Sequence, residues 1–72
     1  MRLRGDMEGV QLTQKEKQIL EKLSQGFTSQ KIAEEFFMAV STINNYRNTL
    51  IEKFEAKNVT DMVRIALEKG YI

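Results

Sequence analysis

From Leu12 onward, apolar side chains recur at intervals of three and four residues in four separate stretches, and residues that cap helices stand between the stretches. The first follows Thr13-Gln14-Lys15-Glu16, which has the spacing of a capping box. In that motif the Thr13 hydroxyl accepts from the Glu16 amide, and the Glu16 side chain reaches back to the Thr13 amide. Ile19, Leu20 and Leu23 form its stripe and Gly26 offers a left-handed cap, so a helix is expected over about Gln14 to Gln25. Thr28 or Ser29 opens a second, short helix that buries Ile32, Ala33 and Phe36 and stops near Phe37. A third is expected from Val40 or Ser41 to about Phe54, with Ile43, Tyr46 or Arg47, Leu50 and Phe54 inward and Thr42, Asn44, Asn45, Asn48 and Glu52 on its other face. The period breaks at Glu55-Ala56-Lys57-Asn58-Val59. Thr60 then offers an N-cap, Asp61 suits the positive end of a helix, and Gly70 offers a C-cap, giving a fourth helix over about Asp61 to Lys69.

No segment alternates over a strand's length, so the expected fold is all-α with four helices. Residues 1–10 show neither period, and Gly5 and Gly9 loosen them, so they read as a linker or N-terminal arm before a domain over residues 11–72. Phe27, Phe36, Phe37 and Phe54 are read most simply as core, and Tyr46 as packed with its hydroxyl at the surface. In the fourth helix Val63, Ala66 and Leu67 can face inward, leaving Met62 and Ile65 as candidates for an exposed seam; the alternative is that all five are core.

Composition narrows the function. A chain of 72 residues with 42% hydrophobic and 29% charged side chains can bury one core, and no apolar run approaches the roughly 18 residues of a membrane span. The first ten residues lack the apolar stretch of a signal peptide, which fits a cytoplasmic setting. There is no Cys and no His, so the thiolate nucleophile and the imidazole base or metal ligand are missing. The carboxylates are scattered over solvated faces; neither an enzyme nor a bound metal or small-molecule cofactor is expected. The net charge of +1 is a weak version of a nucleic-acid binder's basic footprint.

The second and third helices are separated by little more than Phe37-Met38-Ala39, the arrangement of a helix-turn-helix. Asn44, Asn45 and Asn48 are poor helix formers, because their amides compete for the backbone, so something other than folding favours them there. An Asn side chain donates and accepts together, which suits the N6/N7 edge of adenine in the major groove, and Arg47 can reach guanine or a phosphate. The bland alternative is a solvated face, but such faces are normally built from Glu, Lys and Gln.

Taken together, Leu12-Thr13-x-x-Glu16-x-x-Ile19-Leu20, Gly26-x-Thr28-x-x-x-Ile32-Ala33, Thr42-Ile43-x-x-Tyr46 and Lys53-Phe54 closely resemble the LuxR/FixJ-type (GerE-like) helix-turn-helix domain over residues 11–72. The resemblance implies a four-helix domain of a bacterial transcription regulator, with its third helix in the major groove of double-stranded DNA and its fourth in a homodimer contact. By position it implies that Asn44, Asn45 and Asn48 contact bases, that Lys31, Thr42, Arg47 and Lys53 approach the DNA backbone, and that Met62 and Ile65 lie at the dimer contact; RNA polymerase is a further partner of such regulators. The chain departs from the pattern where Ala39 replaces a usual Ser, Tyr46 a His and Phe54 a Leu, and beside Asn44, where family members commonly have a Lys or Arg. Loss of the Ser removes an N-cap worth about 1 kcal/mol unless Ser41 caps a later start. Over residues 39–55 Arg47 and Lys53 balance Glu52 and Glu55, so a single copy should bind weakly and gain from a second half-site.

Two other readings compete. The promoter-reading region of a sigma factor shares the Leu-Thr-x-x-Glu opening and the Ile-Ala turn, but the fourth helix after Lys53-Phe54 argues against it. A helix-turn-helix that has lost DNA and binds a regulator or RNA polymerase through Met62, Ile65 and neighbouring apolar surface is the alternative from a different class.

Overall fold

The computed structural model describes residues 10–72, and the arm expected over residues 1–10 lies outside them except for Val10. Val10 packs against the core, and its amide donates to the Tyr71 hydroxyl. Four helices follow: α1 (Gln14–Ser24), α2 (Ser29–Phe36), α3 (Val40–Lys53) and α4 (Val59–Glu68).

Local chemistry sets most of the boundaries. At α1 the capping box forms in both directions, Thr13 N to Glu16 Oε1 at 2.9 Å and Glu16 N to Thr13 Oγ1 at 3.1 Å. Thr28 caps α2 by accepting from the Lys31 amide at 3.1 Å. All four helices close on a residue with positive φ, followed by an amide that donates five residues back: Gly26 before Phe27, Phe37 before Met38, Glu55 before Ala56, and Gly70 before Tyr71.

The start of α4 differs from the sequence expectation. Asn58, extended at φ −163° and ψ −177°, caps it by accepting from Asp61 N at 2.8 Å, so the helix opens at Val59 and includes Thr60. Both residues can cap. The earlier start also brings half-buried Val59 into the helix. α3 opens at Val40, the earlier of its two expected starts: its N-cap is Ala39, with no side-chain cap, and Ser41 lies within the first turn.

α3 packs against all three other helices, while α2 leans on α1 and α3, and α4 on α1 and α3. Their shared core is Ile19, Leu20 and Leu23 of α1, Ile32 and Ala33 of α2, Ile43 and Leu50 of α3 with Phe54 behind them, and Met62 and Ala66 of α4. Fully burying one such aliphatic side chain stabilises by about 1.5–3 kcal/mol, so this cluster is the main source of stability. Phe54 also meets Tyr71 edge-on, with ring centroids 5.2 Å apart and planes at 87°.

Two expectations about apolar residues are overturned. Phe37 is 96% exposed, because the left-handed turn that ends α2 swings it out of the core. In α4 the buried face is centred on Met62 and Ala66. Met62 is therefore 0% exposed and Leu67, expected inside, is 57% exposed, while Ile65 and Val63 lie half-buried on the flanks. Met62 cannot belong to an exposed seam. Among the described residues no helix is long and apolar enough to cross a membrane.

Candidate nucleic-acid interface

The pair α2–α3 carries the candidate surface. Three residues join the helices, and the Met38 amide donates to Ala33 O at 2.9 Å, so the turn is closed by backbone and not by side chains. Lys22 of α1 reaches Glu35 of α2 at 3.0 Å and lies over the Phe27 ring at 4.7 Å, and Lys15 lies over Phe36 at 4.9 Å. These contacts fix α2 on α1 while Ile43 and Leu50 hold α3 against both.

With that face of α3 buried, its opposite face is set. Thr42, Asn44, Asn45 and Asn48 are all exposed, as the inward register of Ile43, Leu50 and Phe54 requires. Asn44 and Asn48 stand one turn apart, Asn45 beside them, and exposed Glu52 one turn beyond Asn48. Lys31, in the first turn of α2, is exposed and makes no ion pair among the described residues. Val40, at the first position of α3, is an exposed apolar side chain on this surface; residue spacing had assigned it no role.

Two cations expected at the DNA backbone are engaged inside the protein. Lys53 donates from Nζ to Glu16 Oε1 at 2.7 Å and to the Gln11 carbonyl at 2.9 Å, bolting the end of α3 to the start of α1. The partner lies 37 residues away in sequence, beyond the reach of any local pattern. The Lys53 hydrogen bond is the largest influence lowering the Glu16 pKa; the capping bonds of Thr13 act the same way, and burial opposes them. Arg47 is half-buried, and its Nη1 donates to Ser29 Oγ of α2 at 3.2 Å and to Asn44 Oδ1 at 3.3 Å. Ser29, which the sequence offered only as a possible cap, is thus the group that anchors this arginine.

Around α4 the charges form a local set: Arg64 reaches Asp61 at 2.7 Å and Glu68 at 2.9 Å. The Arg64 hydrogen bond is the main cause of a lowered Asp61 pKa, and Asp61 is in turn the main cause of a raised Arg64 pKa. Beside this set Val59, Val63 and Leu67 line one flank at four-residue spacing. No cluster of side chains suited to a metal ion and no cavity occurs among the described residues.

Known proteins share this arrangement. The family described as bacterial regulatory proteins, luxR family, matches residues 10–66. The chain is 39% identical over 61 residues to the transcriptional regulatory protein YvfU and 35% over 60 residues to the transcriptional regulatory protein DesR, both of Bacillus subtilis. It is 31% identical over 61 residues to the transcriptional regulatory protein FixJ of Bradyrhizobium diazoefficiens. These matches cover 85%, 83% and 85% of this chain, which spans only 30% of the length of each relative. Among solved structures, VqmA of Vibrio cholerae in complex with ligand and DNA matches with a TM-score of 0.83 at 25% identity, over 99% of this chain and 31% of that one. The VqmA dimer in the absence of target DNA matches with a TM-score of 0.85 at 27% identity, over 92% of this chain and 30% of that one. With the match running from Val10, ahead of the capping box, into the last turns of α4, the chain belongs to the luxR family of bacterial regulatory proteins and folds as its helix-turn-helix domain.

Proposed function

We propose that this domain binds double-stranded DNA sequence-specifically in bacterial transcription regulation, with α3 in the major groove and a second copy on the neighbouring half-site. The observation that carries the proposal is the outward face of α3. Its three asparagines are exposed together, on a helix that packing against α1, α2 and α4 holds rigid. Asn45 and Asn48 suit adenine edges, Lys31 and Thr42 suit phosphates, and Lys53 serves as an internal brace. The DNA complex of VqmA supports the reading as a likeness of fold.

For the homodimer, the flank of Val59, Val63 and Leu67 with half-buried Ile65 replaces the seam first placed at Met62 and Ile65. The work is done in the cytoplasm, where the DNA is; it involves no turnover, no metal and no cofactor in these residues. Substituting Asn48→Ala should relax base preference at one position per half-site by about 1–3 kcal/mol while the helices stay folded. Equal loss of affinity for every sequence would remove base reading from Asn48.

A second reading rests on the zero charge balance over residues 39–55 and on exposed Phe37. It makes the domain an interaction module for a regulator or RNA polymerase, met through Phe37 and Leu67. A folded domain that enriches no DNA motif at low salt would favour it.

A further inference from the structure

The three asparagines of α3 are not equivalent. Asn45 and Asn48 have no side-chain hydrogen bond among the described residues, whereas the Asn44 amide is held by Arg47 at 3.3 Å. Arginine has donors only, so the atom facing it must be the amide oxygen, and the assignment of oxygen and nitrogen in Asn44 is fixed by chemistry. Arg47 is itself held. Its Nη1 also donates to Ser29 of α2 at 3.2 Å, and its Nε is buried with no acceptor, an arrangement that folding alone does not favour.

We infer that Arg47 is a positioning residue that makes Asn44 a donor-only reader, directing it to guanine or thymine and away from adenine. The inference rests on the base-reading function proposed above. The amide oxygen and nitrogen diverge from one carbon, so drawing the oxygen towards Arg47 and α2 turns the NH2 group to the exposed side. Two donors facing the groove match the paired acceptors of guanine, O6 and N7, or the single acceptor of thymine, O4. Adenine offers one acceptor, N7, but sets its N6 donor beside it, facing the second hydrogen of the amide, and cytosine offers only the N4 donor. The free amides of Asn45 and Asn48 rotate to suit adenine, so one half-site combines adenines with a guanine or thymine at the Asn44 position.

The test compares the wild-type domain with Asn44→Ala and Arg47→Met by sequencing what each enriches from random duplexes, then by titrating single-base variants of the recovered site. Asn44→Ala should flatten one position per half-site from a preference of at least about fivefold, and the wild-type base there should be guanine or thymine. In Arg47→Met, shown folded by circular dichroism, adenine at that position should rise relative to guanine while the other positions keep their preferences. A wild-type preference for adenine or cytosine there overturns the inference even if Arg47→Met fails to fold. It is equally overturned if Asn44→Ala flattens no position, or if folded Arg47→Met weakens every sequence by one factor, as loss of a phosphate contact would. If the wild-type domain enriches no motif at all, base reading itself fails and the inference with it.

Discussion

Glu16 does two things with one carboxylate. Its Oε1 receives both the Thr13 amide of the capping box and the Lys53 ammonium, at 6% exposure of the residue. A lowered pKa means that the folded domain holds this proton less tightly than the unfolded chain. The stabilisation is therefore complete above the ordinary glutamate range and is lost as pH falls through the lowered value. Glu16→Gln keeps the capping geometry and removes the charge; Lys53 is one-third exposed, so solvent screening limits the cost to about 1 kcal/mol at neutral pH. Thermal melts across pH check this: the gap between wild type and variant should close on acidification, and a gap independent of pH would remove the ion pair from the account. Phe37 gives a second residue-scale prediction. At φ 56° and 96% exposure it has left-handed strain and little packing to lose, so Phe37→Gly should raise stability by roughly 1 kcal/mol in a denaturant titration. Destabilisation would mean that the ring makes a contact that its exposure conceals.

At the scale of the helix, α3 presents donors and acceptors to its surroundings but little positive charge. Glu52 continues the line of Asn44 and Asn48, where a carboxylate repels phosphate. Glu52→Lys should tighten binding to all duplexes alike and steepen the dependence of log K on log salt by about 0.9 for one added phosphate contact. If instead it changes base preference at one position, Glu52 is itself a reader, and cytosine N4 is the matching donor. The elements were legible in the sequence wherever their determinants are local. The capping box, the Thr28 cap, and the glycines at 26 and 70 each act within five residues, and the outward face of α3 followed from Ile43, Leu50 and Phe54. Where two local signals compete, as Asn58 and Thr60 do, the pattern gives no ranking, and packing of Val59 accompanies the earlier start. Contacts between distant segments were not legible: Lys53 with Glu16, and Arg47 with Ser29, join residues 37 and 18 apart. The apolar faces of α4 misled for a related reason. That short helix is apolar on several sides, and only its seat on α1 and α3 decides that Met62 enters the core and Leu67 stays outside.

The whole domain combines the proposed reading surface with a shortage of charge. With a net charge of +1 and two of its α3-side cations engaged internally, one copy gains little from phosphate attraction, so affinity has to come from base contacts and from a second copy. Leu67 is the natural probe of that second copy. Because it is exposed, Leu67→Asp should leave the stability of the isolated domain within about 0.5 kcal/mol. The same change should abolish cooperative binding to a duplex with two half-sites while binding to one half-site persists. Unchanged cooperativity would move the dimer contact off α4. Whether this surface reads DNA sequence is decided by selecting from random duplexes with the purified domain at low and moderate salt and sequencing the bound fragments. A two-fold symmetric motif whose half-sites contain adenine is expected. Failure to enrich any motif at low salt, with the four helices shown to be folded, would contradict it and leave the domain a binder of protein.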